Sequence, residues 1–116
     1  KKEDKLTAVS DYNLPSKVQG VAFDDNGSIY LSTSYGRNTS SYLKVYSSLL
    51  SLDKKPNEPK VKVEMPPCSE EVAIADGTVF VLFESASAKY FEGTDGMGKS
   101  PAPIDKLLEV SVASIW

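Results

Sequence analysis

Apolar and polar positions alternate along this chain in short runs punctuated by glycine, proline and acidic residues, the pattern of strands rather than helices. Two hairpins stand out. Val21-Ala22-Phe23 and Ile29-Tyr30-Leu31 flank Asp24-Asp25-Asn26-Gly27. Val72-Ala73-Ile74 and Val79-Phe80-Val81-Leu82-Phe83 flank Asp76-Gly77. Asp76-Gly77 supplies the positive-φ residues that a two-residue type I′ turn needs to follow strand twist. The longer first turn is expected to use Asn26 as well, because Asn tolerates left-handed backbone. A third strand is predicted after each hairpin, over Tyr42-Leu43-Lys44-Val45-Tyr46 and over residues 106–111. A fourth is predicted ahead of each, over residues 6–14 and 61–65. In the latter, Val61 and Val63 alternate with Lys60, Lys62 and Glu64, as an outer strand would. Residues 46–53, with Leu49, Leu50 and Leu52, allow one helical turn that Pro56 and Pro59 stop.

The hairpins also match each other at an offset of 51 residues. The run Leu14-Pro15-Ser16-Lys17-Val18-Gln19-Gly20-Val21-Ala22-Phe23 aligns with Met65-Pro66-Pro67-Cys68-Ser69-Glu70-Glu71-Val72-Ala73-Ile74. After a one-residue deletion, Gly27-Ser28-Ile29-Tyr30-Leu31 aligns with Gly77-Thr78-Val79-Phe80-Val81. Four-strand units of roughly 50 residues fall in the range of propeller blades. The expected fold class is therefore all-β: two four-stranded antiparallel blade-like units, about 16–66 and 67–116, with residues 5–15 as the outer strand of a preceding unit. The β-sandwich is the alternative. Two units cannot close a ring, and units with only neighbour contacts need about three copies for stability. A C-terminal portion of a larger propeller is expected, completed by the rest of a longer chain or by other copies of itself.

Composition narrows the chemistry. With 116 residues, 41% hydrophobic and 25% charged, the chain has a globular balance, and its net charge of −3 gives no electrostatic footprint for nucleic acid. No apolar run is long enough to span a bilayer. Residues 1–5 read as a solvated end. Cys68 is the only cysteine, so the chain can form no internal disulfide and no thiolate zinc site. It contains no histidine, which removes Ser-His-Asp and Cys-His nucleophile pairs and HExxH zinc sites. Gly93-Thr94-Asp95-Gly96-Met97-Gly98-Lys99-Ser100 matches the P-loop spelling, but a P-loop must open a helix and Pro101-Ala102-Pro103 follows at once. A flexible glycine loop is predicted there. Asn26-Gly27-Ser28 and Asn38-Thr39-Ser40 fit the N-glycosylation pattern.

Gln19-Gly20-Val21-Ala22-Phe23-Asp24-Asp25-Asn26-Gly27-Ser28-Ile29-Tyr30-Leu31-Ser32 resembles the inner hairpin of gluconolactonase-like and strictosidine-synthase-like propellers. The resemblance implies a blade. It also implies a divalent ion such as Ca²⁺ in a central channel, held partly by a carboxylate leading into an inner strand, where Glu70 stands in a comparable place. It further suggests an extracellular or cell-envelope location in a bacterium. In an up-and-down sheet successive connections alternate between ends, so the segments leading into both hairpins share one end with the long connections 34–41 and 85–105. Long connections carry function more often than tight turns do. A binding site is therefore expected from Gln19, Ser34, Tyr35, Arg37, Glu70, Glu71 and Glu84. Three functions follow as expectations: a non-catalytic scaffold or small-molecule-binding portion of a larger propeller protein, part of a metal-assisted lactonase-like hydrolase, or a self-associating interaction module.

Overall fold

The computed structural model describes residues 5–101 and 103–116, and is all-β in its main elements. The charged start, residues 1–4, lies outside the described residues. The first sheet is a meander of β1 (Val18–Phe23), β2 (Ile29–Thr33), β3 (Ser41–Tyr46) and β4 (Val61–Met65). A helix, α1 (Leu49–Lys54), interrupts the connection from β3 to β4. The second sheet runs β5 (Ser69–Ala75), β6 (Thr78–Phe83) and β7 (Leu108–Ser111). Short helical turns α2 (Ala88–Phe91) and α3 (Val112–Ile115) complete the chain. Every pairing is antiparallel, and neither sheet closes into a barrel.

Turn chemistry explains both hairpins. Asp76 and Gly77 have φ of 49° and 72° and join the paired residues Ala75 and Thr78, as the sequence predicts. The first turn works differently: the Gly27 amide donates to the Asp24 carbonyl at 3.1 Å and only Gly27, at φ 82°, is left-handed. Asn26 is not. Its amide donates to Asp24 Oδ1, as does that of Ser28, so the Asp24 carboxylate organises the loop and leaves the unusual backbone to glycine.

Two predicted elements change. Residues 6–14 form no strand and are exposed, with Leu6 and Val9 almost fully so: no strand pairs with them to take up their backbone hydrogen bonds. The second sheet has three strands instead of four: among the described residues nothing pairs with the outer edge of β7.

The two sheets meet through one face each. Ala22, Tyr30, Leu43 and Val45 of the first pack on Val72, Val79, Val81 and Phe83 of the second. Fully burying each of these larger side chains is worth about 1.5–3 kcal/mol. Contact is closest where β1 and β2 meet β5. There Ser32 Oγ and Ser69 Oγ are 2.7 Å apart and buried, and an added Cβ on Gly20 would sit 2.9 Å from Glu71 Cα. The opposite face of the first sheet places Ile29, Leu31 and Tyr46 under Leu52 of α1. Ser48 caps that helix by accepting from the Ser51 amide.

Several details of the two hairpins coincide at the aligned positions. Lys17 and Cys68, each just ahead of an inner strand, both have positive φ, 64° and 69°. The Lys17 carbonyl accepts from the Ser34 amide at 3.1 Å, and that of Cys68 from the Glu84 amide at 3.0 Å. Val21 pairs with Leu31 as Val72 pairs with Val81, and Ala22 with Tyr30 as Ala73 with Phe80. Burial is reversed, however: Val21 is 49% exposed and Val72 is 3% exposed. The sheets are stacked front to back, so corresponding residues face opposite partners.

Candidate functional site

The long connections after β2 and after β6 meet at one end of the molecule. Arg37 joins them. Its guanidinium is buried, pairs with the Asp95 carboxylate through both terminal nitrogens, donates to the Gly98 carbonyl at 2.7 Å and lies 4.5 Å above the Tyr90 ring. A planar guanidinium suits this task because it offers a bidentate face to a carboxylate and a flat face to an aromatic ring at once. Arg37 and the Met97 amide, in that order of effect, hold the Asp95 carboxyl down at about 2. The segment that spells a P-loop is thus a structural loop around Asp95, with no helix opening at Ser100.

Beside this clamp lies a recess of about 430 Å³ lined by Lys17, Gln19, Ser34, Tyr35, Cys68 and Glu84, with Tyr90 and Gly36 at its edge. Gln19, Ser34, Tyr35 and Glu84, expected from sequence, come together here. Lys44 donates to the Tyr35 hydroxyl at 3.0 Å and lowers its pKa. Glu70 is half-buried, and its carboxyl is pushed up first by burial and then by the neighbouring Glu84 charge. Cys68 is buried, and burial pushes its thiol up ahead of the influence of Glu84, which keeps it a poor nucleophile.

Glu71 belongs elsewhere. Its Oε1 accepts from the Val72 amide at 3.0 Å, and its side chain borders the outer face of the second sheet beside Ala73 and Leu82. β5 carries a register irregularity between Ser69 and Val72, so Glu70 and Glu71 do not follow the simple two-residue alternation there. Lys17, Cys68, Tyr90 and Asp95 complete the end of the molecule and were missed in the sequence. For Lys17 and Cys68 the signal was present: they occupy aligned positions at the mouths of the two hairpins.

Glu70 and Glu84 form a carboxylate pair, but among the described residues no group of three or more His, Cys, Asp or Glu side chains is arranged to hold a metal. No helix among the described residues is long and apolar enough to cross a membrane. Comparison with protein-family models, curated proteins and solved structures finds no match.

Proposed function

We propose that this chain is a non-catalytic scaffold portion of a β-propeller protein, two blade-like units long, that binds a small polar ligand in the recess beside the Arg37 clamp. The unit boundaries follow the alignment, about residues 16–66 and 67–116. Support for the blade reading is the front-to-back stacking of two meanders with matching register and matching left-handed residues at Lys17 and Cys68. A sandwich of Greek-key type would send the chain back and forth between sheets, whereas here strands within each sheet pair in sequence order and the chain passes from one sheet to the other once, between β4 and β5.

The observation that carries the binding reading is Arg37, a buried cation that joins two long connections beside a recess. Ordering two loops this way costs conformational entropy, and the fold gains a preformed concave surface from it. Ser34, Gln19 and Lys17 offer donors, Glu84 an acceptor, and Tyr35 and Tyr90 flat apolar surface, a mixture suited to a small molecule with hydroxyl or amino groups. A protonated Cys68 and a chain without histidine supply no activated nucleophile, which favours binding over catalysis.

The test is amide chemical-shift mapping of the ¹⁵N-labelled chain titrated with monosaccharides, amino acids and monocarboxylates. Shifts are expected at Gln19, Ser34, Tyr35 and Glu84, and Arg37→Met should weaken the response at least tenfold. If no probe moves these amides, or if Arg37→Met binds as tightly as the parent, the reading is wrong.

A further inference from the structure

The outer face of the second sheet is apolar and uncovered. Ala73, Phe80, Leu82 and Leu107 line it, with Leu82 49% and Leu107 58% exposed. In the aligned register Ala73 and Phe80 correspond to Ala22 and Tyr30 of the first sheet, which the second sheet buries. The chain therefore displays, unpartnered, the same kind of face that it covers internally.

It also displays the other half. On the back of the first sheet α1 packs on β3 and leaves the β1 strip open, with Val21 49% and Phe23 53% exposed. Those residues correspond to Val72 and Ile74, which pack against the first sheet from the second. Charge agrees with this match. Lys44 and Lys62 share the face of Val21, being paired in one row across the sheet. Glu71 borders the apolar outer face of the second sheet, and Glu109, paired with Phe80, shares it.

The third feature is the missing strand. Residues 10–14 align with β4, which pairs with β3; β7, the counterpart of β3, has a bare edge, and all four of its residues are exposed. Extending the alignment across the edge sets Tyr12 beside Leu107, both exposed in the isolated chain. An open edge next to an apolar face is a template for strand addition.

From these three features we infer that copies of this chain associate head to tail: β1 of one copy packs on the Ala73–Phe80–Leu82 face of the next, while its residues 10–14 pair with β7 as that sheet's fourth strand. This inference rests on the stacked-unit reading above and names its partner surface. The contact is heterologous, so an open assembly retains one free half of each kind at its two ends, and growth stops only by ring closure or when a free half is damaged.

Sedimentation velocity and light scattering of the 116-residue chain across concentration test it. Species larger than a monomer are expected. Leu82→Glu, at an exposed position that leaves the core alone, should weaken association at least tenfold, as should Tyr12→Pro, which removes a ladder donor. Glu109→Lys should weaken association, and adding Lys62→Glu should restore it. The decisive arm mixes two damaged copies: Leu82→Glu has lost only the outer face and Val21→Glu only the β1 strip. Neither alone should grow, and together they should form a dimer and stop. A parent chain that stays monomeric to about 1 mM, a range in which weak specific contacts still show, overturns the inference, as does a mixture that fails to dimerise. A nuclear Overhauser contact between the α protons of Gly20 and Glu71 is read on the same samples. If it persists in a monomer, the stacked-unit reading stands and only the association falls; if it is missing, both fall.

Discussion

Gly20→Ala probes the junction of the two sheets. Gly20 is buried in β1 with φ outside the left-handed region, so alanine meets no backbone penalty of its own there. The cost is steric. The new Cβ would lie 2.7 Å from Glu71 Oε1, 2.8 Å from the Glu70 carbonyl oxygen and 2.9 Å from Glu71 Cα. The carboxylate can swing away, but the other two atoms are β5 backbone, at its irregularity between Ser69 and Val72, and clear the new Cβ only if that segment shifts against β1. Overpacking of this kind costs about 3 kcal/mol, at the upper end of the usual range because backbone must give. Lost freedom in the unfolded chain returns about 0.7 kcal/mol. The net loss of about 2 kcal/mol lowers the melting temperature by about 8 °C for a chain of this size. Guanidinium unfolding followed by far-UV circular dichroism measures it, with an unchanged m-value as the sign that the native state is intact. Adding Glu71→Ala should recover little, since it removes only the movable contact. If Gly20→Ala unfolds within about 0.5 kcal/mol of the parent, the range of an ordinary surface change, the sheets do not meet at Gly20 and the front-to-back stacking is wrong.

Two further predictions concern the clamp and the carboxylate pair. Arg37 holds the Asp95 carboxyl at about 2, below its ordinary 3.8, so the docked loop is stabilised above the unfolded value and that contribution disappears as pH falls from about 4 toward 2. The Tyr90 ring resonances should move in that window and Asp95→Asn should abolish the movement; a response that survives the substitution would contradict the assignment. Glu70 is raised above its ordinary 4.5, by burial first and Glu84 second. Stability from the protonated form is therefore present at low pH and lost as pH rises through the Glu70 midpoint. Glu84→Gln should lower the Glu70 midpoint seen in carbon NMR titration, while burial keeps it above the ordinary value. An unmoved midpoint would show that the two carboxylates do not interact.

Local signals carried most of the strand assignment. Alternation of Val61 and Val63 with charged neighbours predicts an outer strand, and β4 is one; Asp76-Gly77 predicts a two-residue hairpin, and the register closes on it. Residues 6–14 share the apolar content of a strand but remain unpaired, because a strand is defined by its partner as much as by its own residues. Among the expected site residues, Arg37 pairs with Asp95 and joins the two long connections. Its partner Asp95 lies 58 residues away in a loop whose composition announces only flexibility. Glu71 is expected at the same end as Glu70, and a register irregularity in β5 between Ser69 and Val72, which no local pattern announces, sets its side chain beside Ala73 and Leu82 instead.

Sequence alone determined the all-β class, the positions of both hairpins and the absence of imidazole chemistry. Each of these depends on residue type or on interactions spanning a few positions, which the order of residues records directly. Tertiary structure decided which face of each sheet is buried, why Gly20 has no side chain, and that Arg37 closes on Asp95. Those outcomes follow from how two sheets of similar sequence stack. Stacking front to back buries Val72 while exposing Val21, and no feature local to either strand distinguishes the two.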